Sequence, residues 1–132
     1  MTSLVLDAGA LISLDRNDRG TWALLRVAAD ESVAVFAPAA AIAQAWRDGA
    51  RQVLLTRALA HCDEVALDGT RARAAGMLCG KAGTSDIVDA SVALTAAGAA
   101  RHGGSVSIAT SDPADIGKLL DALGVSARIV AI

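Results

Sequence analysis

The fold class is decided by the stretch LVLDAG at residues 4–9, where a short apolar run stops at an acid and a glycine. Such a run is typical of a buried strand that ends in a turn. Four further stretches have strand character: Val33–Phe36, Glu64–Leu67, Ser105–Thr110 and Ala127–Ile132. The sequence therefore predicts five short strands.

Helical patterns occupy the intervals between these strands. The predicted helices are Ala10–Leu14, Thr21–Ala29, Ala39–Arg47, Arg51–Ala60, Thr70–Gly80, Asp86–Ala100 and Pro113–Leu123. The long helix at 86–100 has the clearest pattern, with an apolar stripe formed by Ile87, Ala90, Leu94 and Ala97. Strands that alternate with helices predict a three-layer α/β/α fold around a mainly parallel sheet, as one domain over residues 1–132.

Length and composition restrict the possible functions. A chain of 132 residues can bury roughly two-thirds of its unfolded surface, so it needs no disulfide or structural metal to fold. Only two Trp and one Phe are present, which disfavours a protein that binds single strands by stacking bases on aromatic rings. Twelve basic and fourteen acidic side chains give a net charge of −2, so any contact with nucleic acid must depend on a local patch and bound cations.

The cysteines and the apolar segments indicate the compartment. Cys62 and Cys79 have neither the spacing of a redox or zinc motif nor the density of a secreted scaffold, so we expect reduced thiols. The N-terminus lacks the layout of a signal peptide. The apolar stretches Ala34–Ala43 and Ser91–Ala100 are shorter than the ~20 residues of a spanning helix. We therefore expect a soluble cytoplasmic protein without a membrane partner.

Four aspartates stand at positions that a parallel sheet brings together. Asp7 follows the first predicted strand and Asp112 follows the fourth, while Asp86 and Asp89 share one face of the long helix. If the first and fourth strands are neighbours, these carboxylates converge where α/β sheets bind ligands. Mg²⁺ or Mn²⁺ would relieve their repulsion, because both ions prefer oxygen ligands, and such ions support phosphodiester hydrolysis. The four acids are therefore candidate metal ligands and catalytic residues.

Each acid also has a purely structural interpretation. Asp7 and Asp112 could cap the helices that follow them, and Asp112 stands directly before Pro113 in a typical cap sequence. Asp86 with Asp89 resembles a capping box. Capping and metal binding are compatible, because a helix N-terminus can hold an acid that also binds a cation.

The same residues resemble the PIN-domain family, and within it the VapC-like toxins. LVLDAGALI at 4–12 is similar to the family's opening strand with its first acid, and DASVA at 89–93 resembles the Asp-Ala-x-Ile-Ala segment that supplies the third. IATSD at 108–112, followed by Asp115, is similar to the closing Val-x-Thr-x-Asp segment with the fourth acid. Pro38–Arg47 resembles the Pro-x-x-x-x-x-Glu-x-Trp-Arg helix, and the ordered set covers nearly the whole chain.

The resemblance implies a Mg²⁺- or Mn²⁺-dependent endoribonuclease, the toxin of a toxin–antitoxin pair that is inhibited by its cognate antitoxin. On this reading Asp7, Asp89 and Asp112 hold the metals and Asp86 assists. One departure is Gln44, which stands where the family's helix offers its second acid and adds no charge to the site. Either Asp86 compensates for it, a hypothesis from position alone, or the site is degenerate.

Accessory residues are suggested around this site. Thr110 or Ser111 could orient a ligand or phosphate, although both could equally be ordinary strand-end hydroxyls. Arg47 and Arg51, four apart, could steer a phosphate backbone or simply form a solvated helix face.

The Ala-rich helices suggest an apolar groove for an antitoxin helix or a homodimer interface, or else reflect composition alone. Two other functions compete with the nuclease. One is a PIN-like domain that binds RNA or protein without cleavage. The other is a receiver domain with Asp68 as phosphoacceptor, for which the remaining residues are incomplete.

Overall fold

A computed structural model describes all 132 residues of the chain. Its five strands form one parallel sheet in the order β3-β2-β1-β4-β5: β1 (Ser3–Leu6), β2 (Ala34–Pro38), β3 (Asp63–Val65), β4 (Val106–Thr110) and β5 (Arg128–Ala131). Every predicted strand is present. The strand order reverses between β1 and β4, because β2 and β3 lie on one side of β1 and β4 and β5 lie on the other. The predicted α/β/α class is confirmed.

Seven α-helices flank the sheet, with a short 3₁₀ turn at Gly49–Arg51: α1 (Ala8–Asp15), α2 (Arg19–Asp30), α3 (Ala39–Ala45), α4 (Val53–Leu59), α5 (Gly69–Ala82), α6 (Ile87–Arg101) and α7 (Pro113–Leu123). Helix α6 packs on β1, β2 and β4 with α5 and α7 beside it, whereas α1 lies with α2 and α4. Helix α3 contacts both α1 and α6.

The central strands are covered on both faces. All four residues of β1 and all five of β4 are buried, which accounts for the continuous apolar runs that predicted them. The edge strands β3 and β5 contain no buried residue, and the sequence pattern there is correspondingly weaker. The core is therefore deepest around β1 and β4.

Helix α6 is more deeply enclosed than a single apolar stripe predicts. Ala90 and Ala97 are buried as expected, but Ile87 at the start of the helix is 40% exposed. Val92 and Ala96, outside the predicted stripe, are fully buried. The difference arises because α6 has α3, α5 and α7 as neighbours in addition to the sheet, so several of its faces are covered at once.

The connection between α3 and α4 differs from the predicted helix pair. Helix α3 ends at Ala45, because Trp46 has extended backbone (φ −77°, ψ 129°). The side-chain oxygen of the buried Gln52 accepts the amides of Arg47 (2.7 Å) and Asp48 (2.9 Å), which satisfies the chain after the helix. Arg47 therefore lies beyond the end of α3, and Arg51 belongs to the 3₁₀ turn and not to the start of α4 as predicted. The ends of the other elements differ from the prediction by a few residues at most.

None of the helices combines the length and the apolar character that a membrane-crossing helix requires.

Candidate metal centre

The strand order brings two of the predicted acids together at the carboxyl ends of neighbouring strands. Strand β1 pairs with β4 in parallel, with Leu6 opposite Ala109. Asp7 and Asp112 follow these strands, on either side of the point where the strand order reverses. Ligands of open α/β sheets bind in this crevice. The condition on which the convergence of the acids depended, that the first and fourth strands are neighbours, is met.

Asp7 is held rigidly at the start of α1. It is 2% exposed, and its Oδ1 accepts the amide of Ala10 at 2.7 Å, so it is the N-cap of the helix. Its Oδ2 accepts the amide of Ser111 at 3.1 Å, which ties the end of β1 to the loop after β4. Burial raises the pKa of Asp7 despite these bonds and the Thr110 hydroxyl, which lower it.

Asp89 is a buried acid with an unsatisfied carboxylate oxygen. It lies in the first turn of α6, is 5% exposed, and has a buried Oδ2 without any hydrogen-bond partner. Burial, and after it the charges of Asp86, Asp112 and Asp7, together raise the pKa of Asp89 to about 7. An unpartnered buried carboxylate oxygen is costly unless a ligand satisfies it.

Three of the four acids form one cluster. Each of Asp7, Asp89 and Asp112 offers a carboxylate oxygen, and these three oxygens lie within 4.8 Å of one another. Asp112 is exposed, so the cluster opens to solvent on its side. The donors are all oxygens, the set that hard divalent cations such as Mg²⁺ and Mn²⁺ prefer. The unpartnered oxygen of Asp89 fits such an ion.

Asp86 does not lie with the three clustered acids, as a shared metal ligand would have to. It is the N-cap of α6, with Oδ1 accepting the amide of Asp89 at 2.9 Å, and it is not a member of the cluster. Its charge nevertheless bears on the site, because it contributes to the raised pKa of Asp89. The structural interpretation of Asp86 as a cap is confirmed.

The loop after β4 completes the surroundings of the cluster. The Thr110 hydroxyl accepts the amide of Asp112 at 2.9 Å, which fixes the backbone where Asp112 leaves the strand. A Cβ on Gly9 would lie 2.6 Å from the Cβ of Ser111, so this loop approaches α1 as closely as it does only because residue 9 is glycine. Gly9 was not among the predicted site residues, since a sequence carries no measure of such an approach.

The remaining accessory candidates lie outside these contacts. Gln44 is exposed on α3. The Arg47 guanidinium donates to the carbonyls of Ala43 and Trp46, and Arg51 forms a 3.6 Å ion pair with Asp48. None of the three makes a hydrogen bond or ion pair with an acid of the cluster. Their roles in holding a ligand or a phosphate backbone stay predictions.

Comparison of the chain with protein-family models and with curated proteins gave no match.

Proposed function

We propose that this chain is a Mg²⁺- or Mn²⁺-dependent endoribonuclease of the PIN type. The observation that carries the proposal is the cluster of Asp7, Asp89 and Asp112, which joins three elements at the sheet edge and contains a buried oxygen with no partner. Among the activities that an all-carboxylate site supports, hydrolysis of a phosphodiester agrees with the order of motifs along the chain.

In this proposal Asp7, Asp89 and Asp112 hold the metal. A bound Mg²⁺ or Mn²⁺ would lower the pKa of water and would offset negative charge on the phosphodiester. Asp7 is oriented by the amides of Ala10 and Ser111, so it contributes a ligand that does not need to reorganise. The exposed Asp112 marks the side from which RNA approaches. Asp86 acts as a positioning residue through its bond to the amide of Asp89.

We further propose that the nuclease is the toxin of a toxin–antitoxin pair, acting in the cytoplasm, with RNA as substrate, a cognate antitoxin as partner and a homodimer as its assembly. The resemblance of residues 4–12, 89–93 and 108–112 to the VapC-like toxins supports this part. A short reading frame that overlaps the gene upstream and encodes a DNA-binding protein is the expected genomic context. An isolated gene would contradict the toxin role while leaving the nuclease untouched.

The nuclease itself is tested with purified protein, Mn²⁺ and a structured RNA. We expect cleavage that EDTA abolishes and that Asp7→Asn and Asp89→Asn each eliminate. Asp121→Asn is the matched control, because Asp121 is an exposed acid of α7 outside the cluster and outside the resembling segments, and it should retain cleavage. Cleavage that persists in EDTA, or that survives both cluster substitutions, would refute the proposal.

A second candidate is a PIN-like domain that binds RNA or protein without cleavage, and Gln44 is the observation that favours it. Gln44 stands where the resembling helix has an acid, and it is exposed on α3. Under the nuclease proposal Gln44→Glu should tighten Mn²⁺ binding. Metal binding by the wild type with no cleavage, restored by Gln44→Glu, would identify the chain as the non-cleaving form.

A further inference from the structure

A cavity lies apart from the acidic cluster, between α6 and the sheet. Its volume is about 650 Å³, within the range of small-molecule sites. Thr2 and Ser3, at the amino end of β1, belong to its lining. Asp7 lies beyond the opposite end of that strand, and none of the three acids of the cluster lines the cavity.

The body of the cavity is apolar and only partly enclosed. Phe36 of β2 and Leu94 of α6 line it, together with Val65 and Leu67 around the end of β3. All four side chains are half-buried, so each has an apolar surface that the protein itself does not cover. Covering that surface would be favourable by the hydrophobic effect, which requires an occupant with an apolar body.

The charged part of the lining is cationic. Arg71 and Arg101 belong to it, and none of the lining residues is an Asp or Glu. Neither arginine forms an ion pair in the structure, whose only one joins Arg51 to Asp48. In a chain with net charge −2, a cavity with two unpaired arginines and no acid favours an anion. Guanidinium groups bind carboxylates with paired hydrogen bonds.

Gly98 is a position from which a larger side chain would fill the cavity. It lies inside α6 and lines the cavity, and a Cβ added there would meet no atom within 4 Å. A side chain at position 98 would therefore extend into the cavity.

From the apolar body and the cationic lining, we propose that this cavity binds a small organic carboxylate with an apolar body. The apolar part lies between Phe36 and Leu94, and the carboxylate meets Arg71 or Arg101. This site is separate from the proposed nuclease centre and does not depend on it.

Calorimetric titration with decanoate, below its micelle concentration, tests the proposal. We expect a saturable site that 1-decanol and decyltrimethylammonium, which lack the negative charge, fill at least about tenfold more weakly. Gly98→Leu should weaken decanoate binding at least about tenfold by filling the cavity. The double variant Arg71→Gln, Arg101→Gln should do the same with the apolar lining intact.

Gly76→Leu is the matched control. Gly76 lies inside the exposed face of α5, its added Cβ also meets nothing, and it does not line the cavity. Both leucine variants should melt at or above the wild-type temperature, because leucine favours the helix. Absence of saturable binding, equal binding of 1-decanol, or unchanged affinity in Gly98→Leu would overturn the proposal. So would a dimer that Gly98→Leu dissociates without any carboxylate binding, which would make the cavity an interface between copies.

Discussion

Replacing Asp89 by Asn should make the metal-free protein more stable. The pKa of Asp89 is raised from 3.8 to about 7, chiefly by burial and then by the charges of Asp86, Asp112 and Asp7. A group whose pKa is higher in the folded than in the unfolded chain binds its proton more tightly when folded. The free energy of unfolding therefore falls as pH rises from about 4 to about 7, and the full penalty is present above that.

The size of the effect follows from the same shift. One pKa unit corresponds to about 1.4 kcal/mol, so the rise from 3.8 to about 7 corresponds to about 4 kcal/mol. Solvent reaches the cluster past the exposed Asp112 and screens part of the repulsion. An asparagine amide can also donate to a neighbouring carboxylate. We expect Asp89→Asn to raise the free energy of unfolding at about pH 8 by about 1–3 kcal/mol.

Urea unfolding in EDTA at several pH values measures this. The wild type should lose stability as pH rises through the window, while Asp89→Asn should show a shallower slope that retains the contribution of Asp7, whose pKa is also raised. Asp115→Asn should change stability by no more than about 0.5 kcal/mol. A destabilised Asp89→Asn would show that the carboxylate at 89 stabilises the fold, and a slope equal to that of the wild type would show that folding does not raise its pKa. Either result would refute the electrostatic argument.

Three further predictions concern the loop after β4, the side chain of Gln52 and the metal centre. Gly9→Ala should lower the free energy of unfolding by about 1–3 kcal/mol, because the added methyl displaces the loop after β4. Gly20→Ala, the same change at the second residue of α2, should be neutral or stabilising in the same urea assay, and equal effects would contradict the close approach. Gln52→Ala should cost about 2–3 kcal/mol, since its side chain makes four hydrogen bonds, whereas Gln44→Ala should be nearly neutral, and matching losses would refute the role of Gln52. Mn²⁺ affinity, measured by calorimetry, should increase with pH up to about 7 and then level off, because Asp89 must lose its proton, and a flat profile would exclude it as a ligand.

The fold and much of the site could be predicted because they depend on patterns local in sequence. Short apolar runs alternating with helices specify a parallel sheet. The positions of Asp7 and Asp112 directly after strands then require only that β1 and β4 be neighbours, which the strand order provides. Asp89 belongs to the cluster because it occupies the first turn of a helix that packs on both of these strands.

The features that could not be predicted depend on which side-chain contacts form in the folded chain. Asp86 and Asp89 share a helix face by spacing, yet only Asp89 joins the cluster, because the side chain of Asp86 turns back to cap α6. The end of α3 is stabilised by Gln52, whose amide nitrogen also donates to Asp15 at 3.2 Å, 37 positions earlier in the chain. The capping pattern of Asp86 does not by itself exclude this residue from the cluster, and no sequence pattern distinguishes Gln52 from an exposed polar residue.

Capping and metal binding, which are compatible by sequence, are distributed differently among the three acids Asp7, Asp86 and Asp89. Asp7 performs the cap with Oδ1 and still has lone pairs free, because each carboxylate oxygen can accept more than one bond. Helix α6 is already capped by Asp86, so Asp89 contributes no cap of its own, and its Oδ2 has no partner. An uncharged residue at position 89 would avoid both the desolvation and the repulsion. The carboxylate there is explained by a ligand that the folded chain binds, and a cation among the three aspartates satisfies that requirement.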